Sequence, residues 1–178
     1  QAIVEGFAEH KIAALTLLVS SEDTAKTLTA RMAKLDGINL TVRPVNDHIE
    51  KAMDEARAAM GSIDVVVSTP FVRMPLKPLA ADAGRSWDRV LTTEEFADVV
   101  GNHLTHHFRA AKKAALIEGC QIVLVTSGTS RAATREEFAL ALFAKNSLHA
   151  FTVTLGVEGE RLPTAPAINQ VQLTRRAR

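Results

Sequence analysis

The sequence contains no tyrosine, one cysteine and one tryptophan, and aromatic residues make up only 4% of it. Without tyrosine no phenol can give or take a proton, so acid–base chemistry would fall to other groups. The lone Cys120 excludes an internal disulfide and fits a reducing cytoplasm. It precedes an apolar run and reads as a small core residue rather than a reactive thiol. No apolar stretch reaches the roughly 18 residues of a membrane span, and no signal peptide opens the chain. A net charge of +1 argues against a nucleic-acid partner, which would need a strongly basic face. The basic cluster "LTRRAR" at the end reads as a solvated terminus. The chain begins at Gln1, not methionine, which suggests a segment of a longer protein.

What is present is enough apolar sequence for one domain over 1–178: 47% of 178 residues. Strand-like and helix-like patterns alternate, without internal repeats. "KIAALTLLVSS" ends in a run of strand length. A helix follows with Ser20 or Ser21 as N-cap, apolar positions Ala25, Leu28, Met32 and Leu35, and Gly37 at its end. "INLTVRPV" alternates as a strand. The next helix, to Gly61, takes Asn46 or Asp47 as its cap, with Glu50 completing a capping box. "IDVVVST" is a β-branched run, the pattern of a strand buried on both faces. After a loop with three prolines, Thr92 and Glu95 form a capping box for a helix reaching about Glu118. Its apolar stripe is Phe96, Val100, Leu104, Phe108, Ala111 and Ala115. "QIVLVTS" is a further buried strand, a helix spans about 135–160, and "AINQVQLT" is the last strand. Five strands alternating with helices imply an α/β architecture: a Rossmann-like, doubly wound parallel sheet.

In such sheets ligands sit at the carboxyl ends of the strands. Those ends carry Ser20, Ser21, Asn46, Ser68, Thr69, Thr126 and Ser127. Small polar residues there suit a groove for a flat ligand, and suit ordinary loop entry and capping equally. Asn102, inside a helix, is either exposed at a kink or aimed into a site. His103 and His107 are four apart on one helix face, a spacing that could hold a metal, but no third ligand is evident and no metal is expected. "TSGTS" around Ser127 is not a nucleophile elbow, and His149 lies in a helix, so a hydrolase triad is not expected.

Five of these pieces, in order, resemble the short-chain dehydrogenase/reductase family. "GSIDVVVST" is similar to the family's fourth strand. "VVGNHLTHHFRAAKKAA" is similar to its long helix, with the tetrad asparagine at Asn102. "IVLVTSGTS" is similar to the strand carrying the tetrad serine, at Ser127. "LFAKNSLHAFTVTLGVE" is similar to the helix of the YxxxK lysine, at Lys145, and "AINQVQLT" to the strand that follows it. The resemblance spans nearly the whole chain. It implies Ser20, Ser21, Asn46, Ser68 and Thr69 on the cofactor side, with Asn102, Ser127 and Lys145 as what is left of the catalytic tetrad.

The departures set the expected function. The tyrosine position is Ala141, and a methyl group can neither protonate substrate nor hold it. Ser68-Thr69-Pro70-Phe71 stands where the family has Asn-Asn-Ala-Gly. The glycine-rich phosphate loop is not in the sequence, residues 1–10 resembling the end of the helix after it. The fold is thus expected to be incomplete at both ends, lacking that loop and the C-terminal substrate region. Neither an acid nor a base follows the strand at Ser20, so the choice between NAD and NADP is open. The resemblance is nearest to the degenerate scaffold domains of large reductases, such as the bifunctional malonyl-CoA reductases. It implies a non-catalytic domain that binds no cofactor itself, in a parent protein that uses NADPH. The partner implied is an active domain of the same family or a second copy, packed through the helices at 93–118 and 135–160. Two other readings stay open: an active NAD(P)-dependent oxidoreductase with an unusual proton donor, and a module that binds nucleotide or acyl-CoA without turnover.

Overall fold

Strands and helices alternate in the computed structural model of the chain, which describes residues 2–10, 12–33, 38–45, 48–69, 77, 90–127, 139–163 and 166–173. These form two compact units, Gln1–Ile63 and Asp64–Arg178. Each is built of parallel strands joined by helical crossovers, because parallel neighbours cannot be joined by a tight turn.

The first unit opens with α1 (Ala2–Glu9), followed by β1 (Ala14–Val19), α2 (Glu22–Met32), β2 (Asn39–Pro44) and α3 (Ile49–Met60). β1 and β2 pair in parallel, from Ala14 opposite Asn39 to Val19 opposite Pro44. Of the two candidate caps for α2, Ser21 is the one used: its hydroxyl accepts from the Thr24 amide at 3.2 Å. Ala25 and Met32 turn inward, as their spacing predicts. The cap of α3 differs from expectation. The cap position is His48, which makes no side-chain capping bond. Asn46 and Asp47, with Leu35 and Gly37, lie outside the described residues. Gly61 ends α3 at a φ of 84°, a conformation that costs a residue with a Cβ.

The second unit contains β3 (Val65–Ser68), α4 (Thr93–Val99), a five-residue π-helical segment (Val100–Leu104), α5 (Thr105–Ala114), β4 (Gln121–Ser127), α6 (Ala139–Gly159) and β5 (Ala167–Leu173). The sheet order is β3-β4-β5, all parallel. The architecture is therefore the α/β, Rossmann-like one that the pattern implies. Its strands lie in two parallel sheets, of two and three strands. β4 is central and carries the core: Ile122 and Leu124 are fully buried, with Val125 and Thr126 close to it. β3 departs from its reading as a strand buried on both faces. Val65 is 38% exposed and only Ser68 is buried, because β3 has a single partner, β4, among the described residues.

The capping box before α4 forms as read. Thr92 Oγ1 accepts from the Glu95 amide at 3.1 Å, and Glu95 Oε2 accepts from the Thr92 amide at 3.0 Å. Lys77 adds a 2.7 Å ion pair to the same carboxylate. Lys77, with the Thr92 amide, holds the Glu95 carboxyl below its usual range. Thr92→Ala should destabilise this unit by about 1 kcal/mol, read as a lower urea midpoint at unchanged slope. The long helix ends at Ala114, not near Glu118. Gly119, at a φ of 71°, turns the chain into β4.

Candidate functional site

Parallel pairing brings the carboxyl ends of β3, β4 and β5 to one edge of the second unit's sheet. Ser68 and Thr126 are buried there, and Thr69, just past β3, is exposed. Ser127 is the last residue of β4. In the first unit Ser20 is exposed past the end of β1, and the Ser21 hydroxyl is engaged in capping α2 and with Thr24 Oγ1 at 2.9 Å. Capping, the plainer of its two readings, is thus what Ser21 does. Asn46 lies outside the described residues.

Asn102 sits in the π-helical segment, where the helix widens by one residue per turn and a backbone carbonyl loses its usual amide. The His106 ring donates through Nδ1 to the Asn102 carbonyl. The Asn102 side chain is exposed and reaches back along the helix, donating from Nδ2 to Asp98 Oδ1 at 2.5 Å. It is exposed, within the π-helical segment. Ala141 and Lys145 stand one turn apart on α6, whose described residues run from Ala139 to Gly159; the expected start near 135 lies outside the described residues. The side chains of Ala141, Lys145 and Ser127 lie outside the described residues.

Taken unit by unit, the described strand ends offer a dinucleotide few partners. The hydroxyls at Ser20 and Thr69 are neutral, Ser21 is occupied, and neither strand end carries a cation for a phosphate.

His103 and His107 are not surface residues. They are 5% and 0% exposed, with ring centroids 5.1 Å apart and planes perpendicular. Neither nitrogen of either ring has a hydrogen-bond partner among the described residues. Burial holds both rings below the usual imidazole range, His107 at about 3. No group of three metal-ligating side chains occurs among the described residues. His149 is exposed on α6 and meets Gln170 Oε1 of β5 at 3.1 Å through Nδ1. Cys120 is buried, and burial pushes its thiol up, as suits an inert core residue.

Alanines on the long helix suit either a close helix pairing or a core contact with the sheet, and these are core. Ala110, Ala111, Ala114 and Ala115 are buried where α5 packs on β3 and β4. A different surface is apolar and open. On α6, Phe143, Asn146, Ala150, Val153, Thr154 and Val157 are exposed at helical spacing, an uncharged arc four turns long. Phe143 stacks on Phe96 and Phe151 on Phe108, at 5.1 and 5.8 Å between centroids. Between them lies a groove of about 300 Å³ lined by Val100, Leu104, Thr105, Phe108, Ser147 and Phe151. The signal for this surface is in the sequence, as the uncharged residues at 143, 146, 150, 153, 154 and 157 at helical spacing.

No protein-family model matches the chain, and no curated protein sequence does. Solved structures do. The C-domain of a bacterial malonyl-CoA reductase, solved with NADP, is 38% identical over 93% of this chain, with a TM-score of 0.73. This chain spans 24% of that one. A short-chain dehydrogenase from Mycobacterium smegmatis has a TM-score of 0.76 at 18% identity, over 92% of this chain and 66% of that one. A short-chain dehydrogenase/reductase from Serratia marcescens has a TM-score of 0.74 at 19% identity, over 96% and 67%. The last two carry the fold alone, and the first adds sequence to it. With five motifs in register on that fold, the chain belongs to the short-chain dehydrogenase/reductase family.

Proposed function

We propose that this chain is a non-catalytic scaffold domain of a larger NADPH-dependent reductase of the malonyl-CoA reductase kind. One observation carries the reading. Ala141 stands one helical turn before Lys145 on α6, at the family's acid position, in a chain with no tyrosine. Lysine lowers the pKa of a neighbouring phenol, and here it has no phenol to act on. The groove's neutral strand ends support a domain that leaves NADPH to another part of the parent protein. The likeness to a malonyl-CoA reductase C-domain supports the choice of parent.

The scaffold would act by pairing with an active domain of the same family, or with a second copy, through α4, α5 and α6. The open apolar arc on α6 and the groove beside Phe108 support that surface.

Lys145→Ala and Asn102→Ala, each made in the full-length parent, should leave kcat/KM for NADPH-dependent reduction within about two-fold. Removing a working acid or its partner costs about 10²- to 10⁴-fold. A loss of that size in either variant would show that this domain does the chemistry, and the scaffold reading would be wrong.

A further inference from the structure

We propose that His103 and His107 form an acid-sensitive latch, in which proton uptake by either ring releases the stretch from Val100 to Ala114 from the elements it packs on, α6, β3 and β4. Both rings are buried: His103 in the π-helical segment, which packs on α6, and His107 in α5, which packs on β3 and β4, with Val99, Ala110, Ala111 and Ala114 buried along the same stretch. They meet edge to face at 5.1 Å. In that arrangement the two rings touch each other, and four ring nitrogens have no partner among the described residues. A neutral imidazole tolerates such a place at some cost. An imidazolium would bring a charge and two N–H donors into it with no acceptor, which is far more costly.

Among the described residues no free carboxylate is placed to offset that charge. Asp98 is held by Asn102, and Glu95 by Lys77 and Thr92. The other ionisable residues of the helix are His106, Arg109, Lys112 and Lys113. β3 and β4 contain no ionisable residue, with Asp64 and Cys120 directly before them. α6 contributes Lys145, His149 and Glu158, of which His149 engages Gln170. The charges acting on the two rings are those of histidines, which oppose a further proton. The pair also sits on and beside the π-helical segment, where the helix ladder is already interrupted.

The sign follows from linkage. The packed state holds the rings neutral, and the released state lets them titrate near 6.5. Packing is therefore at full strength above about pH 6.5 and weakens as the pH falls below it. Each ring contributes up to about a ten-fold rise in the opening constant per pH unit. Release of this helix would also disturb the pairing surface. That consequence rests on the reading above, while the release itself does not.

Hydrogen exchange of the full-length protein at pH 7.5 and pH 5.0, corrected for intrinsic exchange rates, tests the latch. Peptides spanning 100–114 should lose protection by at least about 30-fold at pH 5.0. In the His103→Leu/His107→Leu variant the loss should stay under about three-fold. Unchanged protection in the natural protein, or an equal fall in the variant, would overturn the latch. Should the variant not fold, NMR titration of the natural protein decides. Rings that stay neutral to pH 5 while their helix is protected support the latch, and rings that titrate near 6.5 in a protected helix refute it. Sedimentation at both pH values reads pairing separately. Helix release without dissociation leaves the latch standing and counts against the pairing surface.

Discussion

Phe143→Asp combined with Val153→Asp should raise the dissociation constant of the pairing contact by more than about 100-fold while leaving the domain folded. Phe143 is 44% exposed and Val153 55% exposed, so their substitution removes little from the unit's own core. Phe143 touches Phe96 through one side of its ring, and loss of that contact is the main internal cost. In a pairing interface both side chains would be desolvated. Each buried apolar side chain contributes about 1.5–3 kcal/mol, and each new carboxylate would be buried with no lysine or arginine one turn away on α6. A combined loss beyond about 2.7 kcal/mol is a factor of 100. Phe108→Asp is a milder probe, because Lys112, whose ammonium lies 5.8 Å from the ring centroid, follows it at i+4 and would meet the new carboxylate. The measurement is sedimentation or native mass spectrometry of the full-length protein, with circular dichroism to confirm the fold. A folded double variant that pairs as tightly as the natural protein would remove this surface from the proposal. A variant that fails to pair, with parent activity lost as well, would tie the scaffold to catalysis in its partner.

How much of this was legible in the sequence depends on which residues carried the signal. The five strands were legible because their β-branched runs are bounded by helix caps, and the Thr92–Glu95 box and the Ser21 cap sit where their residue types point. Local chemistry decides such features, so sequence suffices. The cap of α3 was misread because Asn46 and Asp47 have the better propensity, yet the helix begins after His48. Tertiary packing set that boundary by placing Ile49 in the core. Of the candidate site, Asn102 was legible as a helix anomaly, and the π-helical segment is its physical form. The burial of His103 and His107 was not legible. An i, i+4 histidine pair reads alike on either face of a helix, and only the packing of Val99 and Ala111 beside it shows the inward face. The alanines of the long helix were open to two readings for a related reason. Alanine suits both a tight helix pairing and a tight helix–sheet contact, and the sheet took it.

Leu124→Ala should destabilise the second unit by about 2–5 kcal/mol. Leu124 is fully buried at the centre of β4, opposite Ser68 on one side and Gln170 on the other. Truncation removes transfer energy and leaves a cavity, and a strand held on both sides by hydrogen-bonded neighbours cannot move in to fill it. The same change at Leu116, 65% exposed, should cost no more than about 0.5 kcal/mol. Urea unfolding followed by circular dichroism distinguishes the two, with the Leu124 midpoint lowered by about 1 M or more at a typical slope. Equal midpoints for the two variants would mean that β4 is not the centre of the core, and the placement of Ser127 at its end would fall with it. If the scaffold reading holds, Leu124→Ala should also lower the parent's turnover near the unfolding midpoint, whereas Lys145→Ala should not. Stability and catalysis would then respond to different residues of one domain. That separation is what a retained fold without its acid predicts, and an active site at Lys145 could not produce it.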